Sequence, residues 1–348
     1  MDVDVGSFAE YLGDATVLVT GAGGSIGAAL CARLARLGVG ALVLVDHTEA
    51  SLVGLARALR DELGFERAVP VLADIKNSVG MFEMFERHRP YVVFHAAAYK
   101  HVPLLESFPV EGVATNVLGT KCIVDAARRV HVGRFVLIST DKAVQPTNVL
   151  GQTKAVAEWI VATAGRDVEN GQYVSVRLGN VVDSTGSILP VFRRQVAGGG
   201  PVTVTHPNAT RYLMTADEAA GLAIVTGGLA DSNSIFWLDS GPPVRILDLA
   251  RRLASASSDD VGIEFVGLRA GERLHEQLFP NGGEIAATPC ERVWRSPMPQ
   301  VDPAWLNRWL AVLGRAVERG SSTRVRAALA QMHSAPELEA VQSAVVVA

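Results

Sequence analysis

The apolar run Val17-Leu18-Val19-Thr20 passes directly into Gly21-Ala22-Gly23-Gly24-Ser25-Ile26-Gly27, and a helix-period pattern over residues 25–37 starts inside that glycine cluster. A chain that crowds glycine between a strand and a helix has few folds open to it. The glycines let the backbone turn sharply, let a pyrophosphate approach the main chain, and let helix and strand pack closely. The helix start supplies unpaired amides to the phosphates. An acid, Asp46, follows the last glycine by about twenty residues, the spacing a dinucleotide fingerprint requires. These observations assign Gly21, Gly24, Ser25, Ile26 and Gly27 to the phosphates and Asp46 to the adenosine ribose. The Asp46 carboxylate repels a 2′-phosphate and no arginine adjoins it, so the cofactor expected is NAD rather than NADP. A turn-capping aspartate is the competing reading.

The same alternation continues along the first half. Residues 16–20, 41–46, 69–73, 91–95 and 134–139 read as strands, each followed by a helix-length segment. Apolar strands separated by helices predict a parallel sheet covered on both faces. Right-handed crossovers then give an α/β, Rossmann-like, doubly wound sheet with its ligand crevice at the strands' carboxyl ends. Asp74 and Ile75, ending the third strand, fall near the adenine. Ala96 and Ala98, after the fourth, are small enough for the nicotinamide half to lie against the backbone. Past residue 178 glycine and proline become frequent, and residues 234–238 read as one more strand of the main sheet. The expected division is an NAD-binding domain over 14–178, with 212–240 returning to it, and a smaller interleaved substrate-binding subdomain over 179–211 and 241–300. Helices over 301–338 and a loose tail over 339–348 complete it.

Composition narrows the function. A net charge of −4 gives no electrostatic reason to expect nucleic acid or an anionic membrane as partner. Three widely spaced cysteines and eight histidines without paired spacing point to neither a disulfide framework nor a metal site. The acidic start Met1-Asp2-Val3-Asp4 lacks the basic region of a signal peptide, and no apolar stretch reaches membrane-helix length. A cytoplasmic protein is expected.

Several longer motifs carry a resemblance. They are His95-Ala96-Ala97-Ala98-Tyr99-Lys100-His101-Val102-Pro103, Asn116-Val117-Leu118-Gly119-Thr120, and Ser139-Thr140-Asp141-Lys142 with Leu150 and Lys154 beyond it. Arg177-Leu178-Gly179-Asn180-Val181, Thr210-Arg211-Tyr212 and Gly267-Leu268-Arg269-Ala270-Gly271-Glu272 complete the set. Over residues 16–332 the chain resembles the extended short-chain dehydrogenase/reductases, whose glycine spacing G-x-x-G-x-x-G it shares. Within them it is similar to the UDP-N-acetylglucosamine 4,6-dehydratases of polysaccharide biosynthesis. The Thr-Asp-Lys step distinguishes this group from the dTDP-glucose and GDP-mannose dehydratases. Most relatives hold a catalytic tyrosine where this chain has Leu150, which cannot exchange a proton. A branch of largely membrane-anchored long forms has methionine there. Ala270 replaces a customary proline.

The resemblance implies a reaction without net redox change. A hexose is oxidised at C4 with its hydride passing to tightly bound NAD, the C5 proton and C6 hydroxyl leave as water, and the hydride returns to C6. With no tyrosine, the acid–base work falls to Asp141-Lys142. Lys142 is expected to be the base at C5, its pKa lowered by burial and by positive charge from Lys154 and the oxidised nicotinamide. Asp141 is expected to protonate the departing C6 oxygen. Asp141 or a water takes the C4 hydroxyl proton. Thr140 hydrogen-bonds O4 of the sugar, and Lys154 holds the nicotinamide ribose. Asn180, Arg211, Arg269 and Glu272 are implied to hold the nucleotide diphosphate and uridine, with Lys100 and His101 lining the sugar pocket. A surface ion pair is the competing reading for either arginine. The partners implied are a UDP-sugar and further copies of the chain, paired as a dimer or larger assembly through helices flanking Asn116 and Lys154. Three other functions compete: a UDP-sugar 4-epimerase, a 5,6-dehydratase without hydride return, and a non-catalytic NAD- or nucleotide-sugar-binding homologue.

Overall fold

Runs of β-branched residues bounded by glycine, too short for helices, build the centre of the molecule. The computed structural model describes residues 5–168, 171–229, 234–256, 261–279 and 284–334, and the predicted tail lies outside them. The first half contains β1 (Thr16–Thr20), α1 (Ser25–Arg36), β2 (Ala41–Asp46), α2 (Glu49–Asp61), β3 (Ala68–Leu72), α3 (Ser78–His88) and β4 (Val92–His95). Then come α4 (Val102–Ser107), α5 (Pro109–Val113), a π-helical turn (Ala114–Gly119), α6 (Thr120–Arg129), β5 (Arg134–Thr140), α7 (Val149–Asp167) and β6 (Gln172–Leu178). The second half has β7 (Asn180–Val181), α8 (Ile188–Ala197), β8 (Val202–Val204), β9 (Thr210–Arg211), β10 (Leu213–Met214), α9 (Ala216–Leu229) and β11 (Ser234–Leu238). It ends with β12 (Val244–Arg245), α10 (Ile246–Ser255), β13 (Ile263–Phe265), β14 (Ala286–Ala287), β15 (Val293–Pro297), α11 (Pro303–Glu318) and α12 (Ser322–His333).

Among the described residues nine strands form one sheet, ordered β14-β15-β11-β6-β5-β4-β1-β2-β3. From β3 to β11 every pairing is parallel, and β15 and β14 add antiparallel to that edge. The fold is a Rossmann-like doubly wound sheet. The chain order reverses between β1 and β4, and the carboxyl ends there frame the crevice. The central strands are buried on both faces, since helices cover each side. β3 differs from the predicted apolar-throughout pattern, because it is the edge strand and only half-covered. It carries Pro70, which a central strand would reject for want of an N–H.

The predicted placement of 241–300 wholly in the smaller subdomain needs correcting, because β14 and β15 return to the main sheet. The strand Val293-Trp294-Arg295-Ser296-Pro297 finds its partner, β11, across a long sequence separation, so no local pattern announces it. Around α8, β8, α10 and β13 a separate apolar cluster forms from Phe192, Val202, Val204, Ile246, Ala250 and Val261. The helix beginning after Thr215 is α9, and a reciprocal capping box starts it. Thr215 Oγ1 accepts from the Glu218 amide (3.0 Å) and Glu218 Oε2 accepts from the Thr215 amide (2.7 Å).

The C-terminal helices fold back over α7. Trp159 of α7 packs on Trp305 of α11 (centroids 6.0 Å) and on His333 of α12 (4.8 Å). His333 Nε2 donates to the Gln152 carbonyl at 3.1 Å. The face of α7 around Trp159 is therefore covered by the chain's own helices.

Candidate active site

A cleft of ≈ 290 Å³ opens above the carboxyl ends of β1, β2, β3 and β4. Of the predicted cofactor residues, Gly21, Gly24, Asp46, Asp74, Ile75, Ala96 and Ala98 line it. Gly21 turns at φ +67°, and a Cβ there would lie 2.7 Å from the Ala97 amide nitrogen. Gly27 sits where a Cβ would meet the Gly21 carbonyl at 2.1 Å, so helix and turn touch through bare backbone. Gly24 precedes α1 without a side-chain cap, and no cap side chain takes the first-turn amides of Ser25 and Ile26. The Ser25 hydroxyl accepts from the Thr185 amide (3.1 Å), tying the turn to the segment after β7.

Asp46 is buried, with Oδ2 accepting from the Gly23 amide (2.9 Å) and Oδ1 from the Thr48 amide (2.8 Å). An ionised carboxylate accepts about four hydrogen bonds, so capacity remains for two ribose hydroxyls. Gly23, absent from the sequence-based set, is the residue Asp46 braces, and a Cβ there would sit 2.6 Å from Ser51 Cβ. Asp74 caps the Lys76 amide at 2.9 Å, and Ile75 packs where Gly119 leaves room. The cleft is a cradle that side chains would fill, with an acid at the ribose end, and these residues fit NAD.

Beneath it runs a hydrogen-bond chain whose direction is fixed. Thr120 Oγ1 gives its one proton to the Asn116 carbonyl (2.8 Å), so it accepts from His95 Nε2 (2.9 Å). His95 Nδ1 must then accept from Thr20 Oγ1 (2.6 Å), which in turn accepts from the Ala97 amide (3.4 Å). Burial, then the Lys154 charge, pushes the pKa of His95 down to about 3, so the ring is neutral. The Asn116 amide group bonds both backbone groups of Tyr99 (2.8 and 3.0 Å) and Thr153 Oγ1 (3.1 Å). It joins the loop after β4 to α7.

Thr140, Asp141 and Lys142 leave the end of β5 in a short 3-10 turn. α7 can press on that turn because Gly151 has no Cβ; one would lie 2.1 Å from the Lys142 carbonyl. Asp141 is fully buried, and its Oδ1 accepts from Thr140 Oγ1 and Lys142 Nζ, both at 2.9 Å. Its Oδ2 is buried with no hydrogen-bond partner. Lys142 Nζ also donates to Asn180 Oδ1 (3.0 Å) and lies 3.6 Å from Glu276 Oε1. Sequence reasoning grouped Thr140, Asp141 and Lys142, assigned Asn180 to the nucleotide rather than to Lys142, and missed Glu276. No local signal marks it, since it arrives on a distant strap, residues 269–279.

Two arginines hold that strap down. The Arg211 guanidinium donates to the carbonyls of Thr210 (2.7 Å), Leu274 (3.1 Å) and Arg273 (2.9 Å). Arg273 donates to Thr147 Oγ1 (2.9 Å) and to the Val144 and Gln145 carbonyls. Arg211 was expected to pair bidentately with phosphate; in this arrangement three of its five guanidinium hydrogens are committed to backbone carbonyls.

The electrostatics of Lys142 also differ from expectation. Burial disfavours its ammonium, but the Asp141 and Glu276 carboxylates outweigh burial and raise its pKa. Lys154 moves the other way, its pKa lowered to about 8 through burial partly offset by Glu158. Glu158 in turn accepts from Ser139 Oγ (2.6 Å) and from Arg177 Nε and Nη2 (2.9 and 2.7 Å). Leu150 is 5% exposed and belongs to the apolar core with Val149, Val102 and Leu105.

The other predicted sugar and nucleotide contacts lie nearby. Lys100 Nζ donates to Ser184 Oγ (3.0 Å), and burial lowers its pKa. The His101 ring packs against Gly186, and its pKa is lowered by burial, then by Lys100 and Arg269. Arg269 and Glu272 bond each other through Nε (2.8 Å) and Nη2 (2.5 Å), the ion-pair alternative foreseen for this arginine. Arg269 remains 62% exposed on its side chain, which leaves it open to an anion. Among the described residues no group of three or more metal-ligating side chains occurs, and no helix is long and apolar enough to cross a membrane.

Comparison with known proteins gives the family of the chain. A family model described as polysaccharide biosynthesis protein matches residues 17–297. The capsular polysaccharide biosynthesis protein CapD of Staphylococcus aureus is 44% identical over 289 residues, covering 82% of this chain and 48% of CapD. The chain thus spans about half the length of that relative. A UDP-glucose 4-epimerase of Rickettsia rickettsii is 32% identical over 291 residues, covering 82% of this chain and 83% of the epimerase. Among solved structures, Pen from Bacillus thuringiensis superposes with a TM-score of 0.77 at 29% identity, covering 83% of this chain and 90% of Pen. The chain belongs to the polysaccharide biosynthesis protein family, nucleotide-sugar enzymes of the extended short-chain dehydrogenase/reductase group.

Proposed function

We propose that the protein is an NAD-dependent nucleotide-sugar 4,6-dehydratase that takes a UDP-N-acetylhexosamine, UDP-N-acetylglucosamine first, to its 4-keto-6-deoxy derivative. The observation that carries this is a buried acid, Asp141, hydrogen-bonded to the partly buried amine of Lys142 at the carboxyl end of β5, while Leu150 lies in the apolar core. When bound, NAD supplies a hydride acceptor for C4 and afterwards a hydride donor for C6. Thr140 orients the sugar through O4. Asp141 takes the C4 hydroxyl proton and later gives it to the departing C6 oxygen. Lys142, once it has shed a proton, removes the C5 proton that the new ketone has acidified. Lys154 holds the nicotinamide ribose. Lys100 and His101 line the sugar pocket, and Asn180, Arg269 and Glu272 reach the nucleotide.

A UDP-sugar 4-epimerase is the second reading, favoured by the 32% identity to the Rickettsia protein. Incubation with UDP-N-acetylglucosamine separates the two. The dehydratase yields a product lighter by one water, with a C4 ketone and a C6 methyl group. An unchanged mass with inverted C4 establishes the epimerase instead, and failure to convert any nucleotide sugar leaves a binding protein.

A further inference from the structure

The three oxygens around Lys142 pose a chemical problem. An ammonium has three protons to donate; here it hydrogen-bonds Asp141 Oδ1 and Asn180 Oδ1, and Glu276 Oε1 lies 3.6 Å away as an ion-pair partner, beyond hydrogen-bond length. So held, Lys142 has no lone pair to offer C5. One neighbour must take a proton first. The Asn180 amide oxygen is no base near neutral pH, and Asp141 is needed to receive the C4 hydroxyl proton. Glu276 remains. Its side chain is 2% exposed, and its Oε2 is buried with no hydrogen-bond partner, so one oxygen faces the lysine while the other stands free to carry a proton.

Resting on the dehydratase reading, we propose that Glu276 is a positioning residue that stores the proton of Lys142 and thereby presents it to C5 as a free amine. The balance closes. An N–H bond of Lys142 breaks and an O–H bond of Glu276 forms, leaving amine and carboxylic acid in place of the ion pair. The C5–H bond then breaks toward the amine, with its electron pair conjugating to the C4 ketone. The C6 oxygen leaves as water with the proton held by Asp141, giving a C5–C6 double bond; Lys142 returns a proton to C5 as C6 receives the hydride that bound NAD would supply, and the Glu276 proton goes back to the amine. The surroundings of Glu276 favour the transfer, and those of Lys142 oppose it. Burial, the first cause, and the Asp141 charge push the Glu276 pKa up, against Lys142, Arg211 and Arg273, which pull it down. For Lys142, Asp141 and Glu276 favour the ammonium against burial and Arg211.

Glu276→Gln and Glu276→Asp variants, loaded with NAD, test this in two ways. The first reading is deuterium entering C5 from solvent, followed against pH. The unsubstituted protein is expected to exchange at a rate nearly flat across neutral pH, because its proton moves internally. Glu276→Gln should lose about tenfold or more at neutral pH and regain rate with rising pH, since its lysine must release the proton to water. Glu276→Asp should restore part of the flat profile. The second reading needs no substrate: the NMR titration midpoint of the Lys142 side chain should move down in Glu276→Gln. An unchanged rate and profile in Glu276→Gln overturns the proposal, as does equal loss in both variants or an unmoved midpoint. Absence of C5 exchange in the unsubstituted protein strikes the dehydratase reading instead, and the titration still decides whether Glu276 governs Lys142.

Discussion

Asp46 shows how much one side chain near a cofactor has to do. Its two oxygens already brace the glycine turn and the start of α2 through the Gly23 and Thr48 amides, and their remaining lone pairs face the cleft. Asp46→Ser removes both the brace and the ribose acceptors, and with them the charge that repels a 2′-phosphate. A charge-assisted hydrogen bond contributes about 1.5–3 kcal/mol. NAD affinity should therefore fall by roughly tenfold or more, and the preference for NAD over NADP should narrow in a fluorescence titration. Equal weakening toward both dinucleotides contradicts the assignment. The role of Asp46 was legible because strand, turn, helix and acid lie within one short segment. Lys142 was legible as a candidate, but its protonation was not: against burial, Asp141 beside it and then Glu276, brought in by folding alone, favour the ammonium.

At the scale of elements, strands β1, β2 and β11 were legible to their end residues, since each is a β-branched or aromatic run closed by a turn. β14 and β15 were not, because their pairing with β11 follows from where the smaller lobe ends. The strap over residues 269–279 is the element on which the site most depends. Arg211 ties it by two bonds, to the Leu274 and Arg273 carbonyl oxygens, and Asn148 Nδ2 reaches the Gly271 carbonyl at 2.9 Å. Arg211→Ala leaves those carbonyls without their donor and should lower stability by about 2–4 kcal/mol in urea denaturation. It should also release Glu276 from Lys142, so turnover should fall further than NAD retention. A variant that keeps stability but loses affinity for UDP would instead make Arg211 a phosphate ligand.

For the whole molecule, the buried His95 and the partly buried His333 couple the nucleotide sheet and the C-terminal helices to pH. His95 is pushed down to about 3 and His333 to about 4, both by burial, from an ordinary 6.5. Because the folded values are depressed, the unfolded chain binds these protons first. The stabilisation is present above pH 6.5 and is lost as pH falls toward those folded values. Together they should cost about 3–4 kcal/mol between neutral pH and about pH 5, readable as a falling urea midpoint. A midpoint unchanged over that range would mean that the two rings open to water. α11 and α12 also decide which surface is left for association, since they cover the apolar face of α7 around Trp159. All of this scaffolding serves one chemical event, and solvent-deuterium exchange at C5 with Lys142→Ala observes it most directly. The account predicts that this variant keeps its NAD but loses exchange at C5. Exchange retained without that amine would contradict it.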